Sequence, residues 1–511
     1  MDCLLLLGVF LPILLGLLYR LHILPSLLRD GPLEVISAPV LSFVFLAFLP
    51  FAAAVATLTG KRVPGNSWVL GVVLLAILIR LVFINSVDTD LTSDYKSIWD
   101  FAVGLHEGSR AKADQIPFMR ALPYFWPLAI LGDGSRLVFE VVNGLVSVAT
   151  SLIGLIIVRN IAGQKAGLSA FIVMLFSPEP IFSCEVSTHD IPGAFFLLGG
   201  IASLYFAYRN WQGGARKPVV FLSLIFIAAL FIGALEVQRS TGKFVLLALL
   251  LIVVAMWCCG SLSRVGSRCQ NSLLAPLTLF GFLVVGIVLV RLAYLNCCTD
   301  VPAITKEYHF NQWAWVASYS GPGSVGDYSE YAKLMPQLHA IAPESLPEFA
   351  LRKVAGEYAA EPFGFVRHYA QKAQLLYNLG RQGREYYGGS VWRQAYDAYT
   401  GIYSILLLGF SLFAFVVSML VPRERPENLF VLYYLAILSL ALIAVGEIQS
   451  RYAAVAWYAL PMYLMIGANR FSTYGADMQY LIERLKGFAV AAPVIALAFS
   501  AGLYTLISFA I

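Results

Sequence analysis

Residues 67–94 read SWVLGVVLLAILIRLVFINSVDTDLTSD. The first nineteen are almost wholly apolar, with Arg80 the one charge. Asp88, Asp90 and Asp94 then follow within nine residues. A helix needs about 20 apolar residues to cross the hydrocarbon core, so 67–85 predicts a membrane span and the aspartates mark where it leaves the bilayer. The same kind of apolar run recurs along the chain, near 3–19, 34–58, 67–85, 136–158, 165–183, 191–208, 218–236, 243–260, 273–295, 400–421, 429–446, 453–468 and 487–510. Of 511 residues, 59% are hydrophobic and 13% charged, and the mean hydropathy is +0.76. Soluble domains carry about 25% charged residues. That shortage excludes a cytosolic or secreted enzyme, a disordered scaffold and a basic nucleic-acid binder. The predicted fold is an all-α integral membrane protein of about 13 transmembrane helices with two external loop regions.

The net charge of +5 is modest, and the position of the cations matters more than their sum. Lys61/Arg62, Arg159/Lys165, Arg209/Arg216/Lys217, Arg264/Arg268, Arg423/Arg425 and Arg470/Arg484/Lys486 all fall on one side if each run crosses once. Basic short loops stay cytoplasmic. The segments 86–135 and 296–399, too polar to cross, then lie on the external face. Arg20 and Arg29 run against the scheme. The first run has neither a basic flank nor a small-residue cleavage site and reads as a retained helix. The expected divisions are an N-terminal hairpin (1–66), a membrane core (67–295) holding the first external loop (86–135), an external aromatic-rich loop domain (296–399) and C-terminal spans (400–511). Residues 346–379 show helical periodicity within the external domain.

Four polar clusters lie at external loop edges. The aspartates Asp88, Asp90, Asp94 and Asp100 suit general-base work or oxygen ligation of a divalent cation, and Asp94 opens an amphipathic stretch suited to the interface. His189-Asp190 sits in a tight turn, where Asp190 could orient an acceptor or cap the next helix. Arg239-Ser240-Thr241-Gly242-Lys243 places two cations at a helix start, a seat for phosphate. Glu447 through Tyr452 includes a Glu–Arg pair. Arg80, Glu140 and Arg291 are among the charges inside predicted spans. No phosphate loop, zinc-protease motif or dinucleotide fingerprint occurs. A donor used on the external face must therefore be delivered by the membrane itself.

Ser93-Asp94-Tyr95 with Ala102 and Gly108, Phe176-Ser177-Pro178 leading to Asp190, Arg239-Ser240-Thr241-Gly242, Glu361-Pro362 with Lys372, and Ser450-Arg451-Tyr452 with Pro461 occur in that order. This series resembles the integral-membrane GT-C glycosyltransferases. More narrowly, it looks like the lipid-phosphate-sugar branch that includes protein mannosyltransferases, aminoarabinose transferases of lipid A and rhizobial galacturonic acid transferases. The likeness spans roughly residues 67–468 and lies in the order of short motifs. It implies a GT-C-like fold and transfer of a sugar from a polyprenyl-phosphate or dolichyl-phosphate donor to a lipid, glycan or protein hydroxyl. It further implies Asp94 as general base, Asp190 as acceptor-orienting group, and Arg239, Lys243 and Arg451, with neighbouring Tyr452, as donor-phosphate ligands. Relatives often carry Asp-Glu where this chain has Asp94-Tyr95, which keeps Asp88 and Asp90 in contention as the base. His189, Lys372, Trp313, Trp315 and Trp392 are the candidates for acceptor or sugar contact, the tryptophans because an indole offers an apolar face with a polar edge. The expectation is no certain cofactor, a divalent cation being allowed but not required, and a bacterial inner membrane location with the site facing the periplasm. Partners would be the lipid-linked donor, the acceptor and membrane lipids, with no nucleic acid. A transporter or flippase of lipid-linked saccharides, and an oligosaccharide polymerase or ligase, are the competing readings.

Overall fold

The computed structural model describes residues 9–18, 38–61, 63–87, 89, 91, 93–108, 122–187, 189–212, 217–239, 241–242, 244–250, 274–298, 310, 313–322, 324–325, 328–376, 391–420, 430–445 and 456–474. These residues are about 87% helical and include no strand. In chain order the helices are α1 (Ala38–Thr59), α2 (Asn66–Ser86), α3 (Ser93–His106), α4 (Phe125–Leu131), α5 (Arg136–Ala162), α6 (Gln164–Leu175), α7 (Pro178–Phe182) and α8 (Asp190–Gln212). They continue with α9 (Pro218–Arg239), α10 (Leu274–Cys298), α11 (Tyr328–His339), α12 (Leu346–Ala360), α13 (Gly364–Leu376), α14 (Val391–Leu420), α15 (Phe430–Val445) and α16 (Ala456–Tyr474).

Among the described residues, five helical segments are long and apolar enough to cross a membrane: Asn66–Ser86, Arg136–Ala162, Asp190–Asn210, Pro218–Gln238 and Tyr396–Phe415. The chain is an integral membrane protein. Shorter apolar helices occupy Leu46–Thr59, Gln164–Leu175, Phe280–Val290 and Tyr434–Ala444. The expected spans 3–19 and 243–260 are described only over 9–18 and 244–250, and 487–510 lies outside the described residues.

The run 165–183 does not form one crossing helix. Helix α6 stops at Leu175, and the chain restarts as the short α7 with Pro178 in its first turn. Proline disfavours helical backbone in the residue before it and brings no N–H of its own. Hydropathy averages over such a break, whereas backbone geometry does not.

Helix α5 is the hub, packing against α2, α6, α8 and α16, while α14 lies between α1 and α16. Helix α2 turns Ala76, Arg80 and Phe83 inward at i, i+4, i+7 and leaves Leu70, Leu74, Leu75 and Leu78 exposed on its outer side. That is the pattern of a helix with lipid on one side and protein on the other. Helices α8 and α9 pair closely because glycines remove the intervening side chains. A Cβ on Gly199 would lie 3.0 Å from the Phe231 ring, and one on Gly200 would lie 2.8 Å from Ile232 Cγ1. Small residues at helix contacts are the usual route to tight packing in lipid.

The segment 86–135 contains α3 and α4, which share a core of Ile98, Trp99, Phe101, Phe125 and Phe139 with the start of α5. Asp94 thus opens a helix, as its amphipathic context predicts. In 296–399 the periodic stretch becomes α12 and α13, divided at Glu361-Pro362. A second small core there joins Ala314, Ala317, Tyr319, Tyr331, Leu346 and Ala350. Helix α14 runs unbroken from Val391 through residue 400, where the membrane spans are expected to resume.

Candidate functional site

The break between α6 and α8 exposes carbonyls that helical bonding would otherwise satisfy. In a membrane interior other protein groups must supply the donors. Arg80 of α2 donates from Nη2 to Leu175 O (2.9 Å), from Nε to Ser147 Oγ (2.6 Å) and from Nη1 to Ala76 O (3.1 Å). The Tyr399 hydroxyl of α14 donates to Phe176 O at 2.7 Å, and that of Tyr403 donates to Val173 O. Asn143 Nδ2 donates to Cys184 O (3.0 Å) and Val186 O (3.3 Å), while its Oδ1 accepts from Tyr124 OH (2.9 Å). Arg136 Nη2 donates to Glu185 O at 3.2 Å and pairs through Nε with Glu140. The end of α6 is therefore held by α2 and α14, and the turn leading to His189-Asp190 by α5.

One buried bond joins this turn to the segment 86–135. Thr89, between Asp88 and Asp90, donates from Oγ1 to Glu185 Oε2 at 2.6 Å. A cleft of about 310 Å³, lined by Ile84, Asn85, Ser86, Val87, Arg136 and Glu140, opens beside it. Glu185 and Asp190 are both buried, at 1% and 5% exposure. Cys184 is buried too, its thiol donating to Pro180 O at 3.0 Å.

Asp190 is the first residue of α8, with Gly193 N donating to His189 O at 2.9 Å. In the antiparallel α8–α9 pair, Gly199 and Gly200 face Phe231 and Ile232. Counting outward from that contact brings the first turn of α8 level with the last turn of α9, which ends at Arg239. Asp190 and the Arg239 backbone thus occupy the same end of one hairpin. Asp88, Asp90, Lys243, Arg451 and Tyr452 lie outside the described residues; for Asp94, Arg239 and Trp392 only the backbone is described.

The remaining candidates belong to the segment 296–399. Trp313 and Trp315 are half-buried and pack on its small core. Lys372 is wholly buried on α13, donates to Tyr319 O at 2.6 Å, and lies 5.9 Å from the centroid of the Tyr319 ring. Desolvation lowers its ammonium to about 7, against a smaller opposing pull from Glu330. His368, one turn earlier, meets Ile443 O at 2.9 Å through Nε2, and burial with the nearby Lys372 charge lowers it to about 4. Ala373 and Leu376 of the same helix join the main core with Phe83 and Phe182. Among the described residues no group of three or more His, Cys, Asp or Glu side chains is arranged to hold a metal ion.

The sequence reading missed a polar stripe on α5: Arg136, Glu140, Asn143, Ser147 and Ser151, spaced 4, 3, 4 and 4, which keeps them on one helix face. The signal was present. It was hidden because a hydropathy average ignores which face a polar residue occupies.

No family model matches the chain, and no curated relative does. Solved structures similar to it include the Archaeoglobus fulgidus oligosaccharyltransferase in complex with Zn and sulfate, at 14% identity and a TM-score of 0.43 over 84% of this chain and 53% of that one. The same organism's oligosaccharyltransferase AglB, with an inhibitory peptide and a dolichol-phosphate, gives 13%, 0.41, 85% and 56%. ArnT from Cupriavidus metallidurans bound to undecaprenyl phosphate gives 14%, 0.38, 84% and 80%. The chain spans about half the length of the oligosaccharyltransferases. AglB and ArnT are GT-C glycosyltransferases, the class that the sequence resembles. Likeness this low assigns no activity to this chain.

Proposed function

We propose that this protein is a membrane glycosyltransferase that moves a sugar from a polyprenyl-phosphate donor to a hydroxyl of a lipid, glycan or protein acceptor at the external face. The observation that carries the reading is the buried Thr89–Glu185 bond, which ties the aspartate loop to the turn ending in His189-Asp190. Two acidic segments 96 residues apart are thereby held together, as acceptor activation beside a donor requires. In the proposed step the acceptor oxygen attacks the anomeric carbon and its proton passes to Asp94. The sugar–phosphate C–O bond breaks with its electron pair going to the phosphate oxygen. Arg239, Lys243 and Arg451, with Tyr452, neutralise the charge that grows on the leaving phosphate. Asp190 orients the acceptor; Asp88 and Asp90 are the alternative bases. His189, Lys372, Trp313, Trp315 and Trp392 are proposed to contact sugar or acceptor, and the external side is taken as the periplasm of a bacterial inner membrane.

Asp94→Asn should lower transfer by about 10²–10⁴-fold, the usual contribution of a positioned base, with expression and detergent stability unchanged. Arg239→Ala should raise the donor concentration needed for half-maximal rate. Full activity in Asp94→Asn would remove that residue from the role of base. Transfer from a soluble nucleotide sugar without a lipid intermediate would overturn the donor. Mass analysis of envelope glycans from cells lacking the protein would identify sugar and acceptor together.

A further inference from the structure

Gln238, in the last turn of α9, is completely buried, and neither its amide nitrogen nor its amide oxygen has a hydrogen-bond partner among the described residues. A carboxamide carries two donor hydrogens and a two-lone-pair acceptor. Burying all of these unmade is costly, whereas an apolar side chain of similar shape incurs no such penalty. Neighbouring positions follow the apolar rule: Leu235 and Val237 are both buried.

The direction in which Gln238 points follows from the helix register. Phe231 faces α8, its ring meeting those of Phe195 (5.5 Å) and Phe196 (6.2 Å) and approaching Gly199. Gln238 is seven residues further on, two turns along the same face. Seven residues back from Phe196 and Gly199 on the antiparallel partner are His189 and Pro192. The amide is therefore carried toward the His189–Asp190 end of α8. Gly242 closes the hairpin nearby: a Cβ there would lie 2.8 Å from Ile232 O and 2.9 Å from Glu236 Cβ.

We propose that Gln238 binds the donor sugar, its amide exchanging hydrogen bonds with adjacent sugar hydroxyls. The inference rests on the glycosyltransferase reading and adds a recognition residue to that site. A hydroxyl both donates and accepts, so a pair of neighbouring hydroxyls complements a carboxamide. A prenyl chain offers the amide no hydrogen bond, and a phosphate offers acceptors only. Gln238 should thus distinguish a sugar-bearing lipid from the bare lipid phosphate.

The test uses the purified full chain, wild type and Gln238→Leu, in detergent. Thermal midpoints are measured alone, with undecaprenyl phosphate, and with undecaprenyl phosphate bearing mannose, glucose or galactose. Without ligand, Gln238→Leu should melt at or above the wild-type temperature. Wild type should gain several degrees more from at least one sugar-bearing lipid than from undecaprenyl phosphate. Gln238→Leu should keep the undecaprenyl phosphate shift and lose that excess. An excess retained in Gln238→Leu overturns this inference alone, as does a ligand-free variant that melts well below wild type, which would mark the amide as a structural bond. A wild type that gains nothing extra from any of the three sugars overturns both this inference and the sugar-donor reading.

Discussion

Arg80 is a guanidinium placed in a membrane span yet almost completely removed from solvent. Its three nitrogens serve a serine 67 residues away, a carbonyl 95 residues away and its own helix. A charged-group hydrogen bond contributes roughly 1.5–3 kcal/mol net, and removing one partner leaves the other desolvated and unpaired. Arg80→Met should therefore destabilise the protein by about 3 kcal/mol, read as the midpoint of unfolding in mixed detergent–SDS micelles, with Arg80→Lys recovering part of the loss. A midpoint unchanged in Arg80→Met would show that the α6 break does not depend on this donor. The sequence disclosed Arg80 as a charge inside a span. Its role was not legible, because Ser147 and Leu175 are brought to it by folding and no local pattern encodes them.

At the scale of the element, α13 buries Gly364, His368, Lys372, Ala373 and Leu376 on one face. The two titratable residues are one turn apart and both favour their neutral forms, Lys372 near 7 and His368 near 4. The unfolded chain then binds more protons than the folded one from about pH 7 to 10.5 for the lysine, and from about pH 4 to 6.5 for the histidine. Stability must rise with pH through each window. Thermal midpoints of wild type and Lys372→Met, compared across pH 6–10, should draw together as pH rises: wild type gains stability between pH 7 and 10 as the lysine's burial penalty is removed, and the variant lacks that increment. Parallel curves would show that the ammonium is not desolvated in the folded protein. Here the sequence was informative, since the periodicity of 346–379 anticipated both helices. What it lacked was the division at Pro362 and the depth of burial. An amphipathic pattern gives the face but not what covers it.

At the scale of the molecule, the distribution of cations predicts one face bearing the loop with Arg209, Arg216 and Lys217 and the other bearing 86–135 and 296–399. Cysteines introduced at Gly214 and Glu361 provide the check in a background lacking the seven native ones. In intact cells an impermeant maleimide should label Glu361→Cys directly and Gly214→Cys only after permeabilisation. Labelling of both without permeabilisation would reject the topology. The helical membrane character of the described residues was legible from apolar runs alone, whereas the α6 break was not, since window averages do not register a single Ser-Pro step.

That break has a consequence for any substrate with a lipid tail. Twelve residues make α6 about 18 Å long, well short of the roughly 30 Å of hydrocarbon. Were α6 to begin at one membrane surface, the turn that follows would form a recessed shelf within the thickness of the bilayer, not a rim above it. A head group tethered to a long isoprenoid can reach such a shelf by sliding in sideways, its tail still dissolved among the acyl chains.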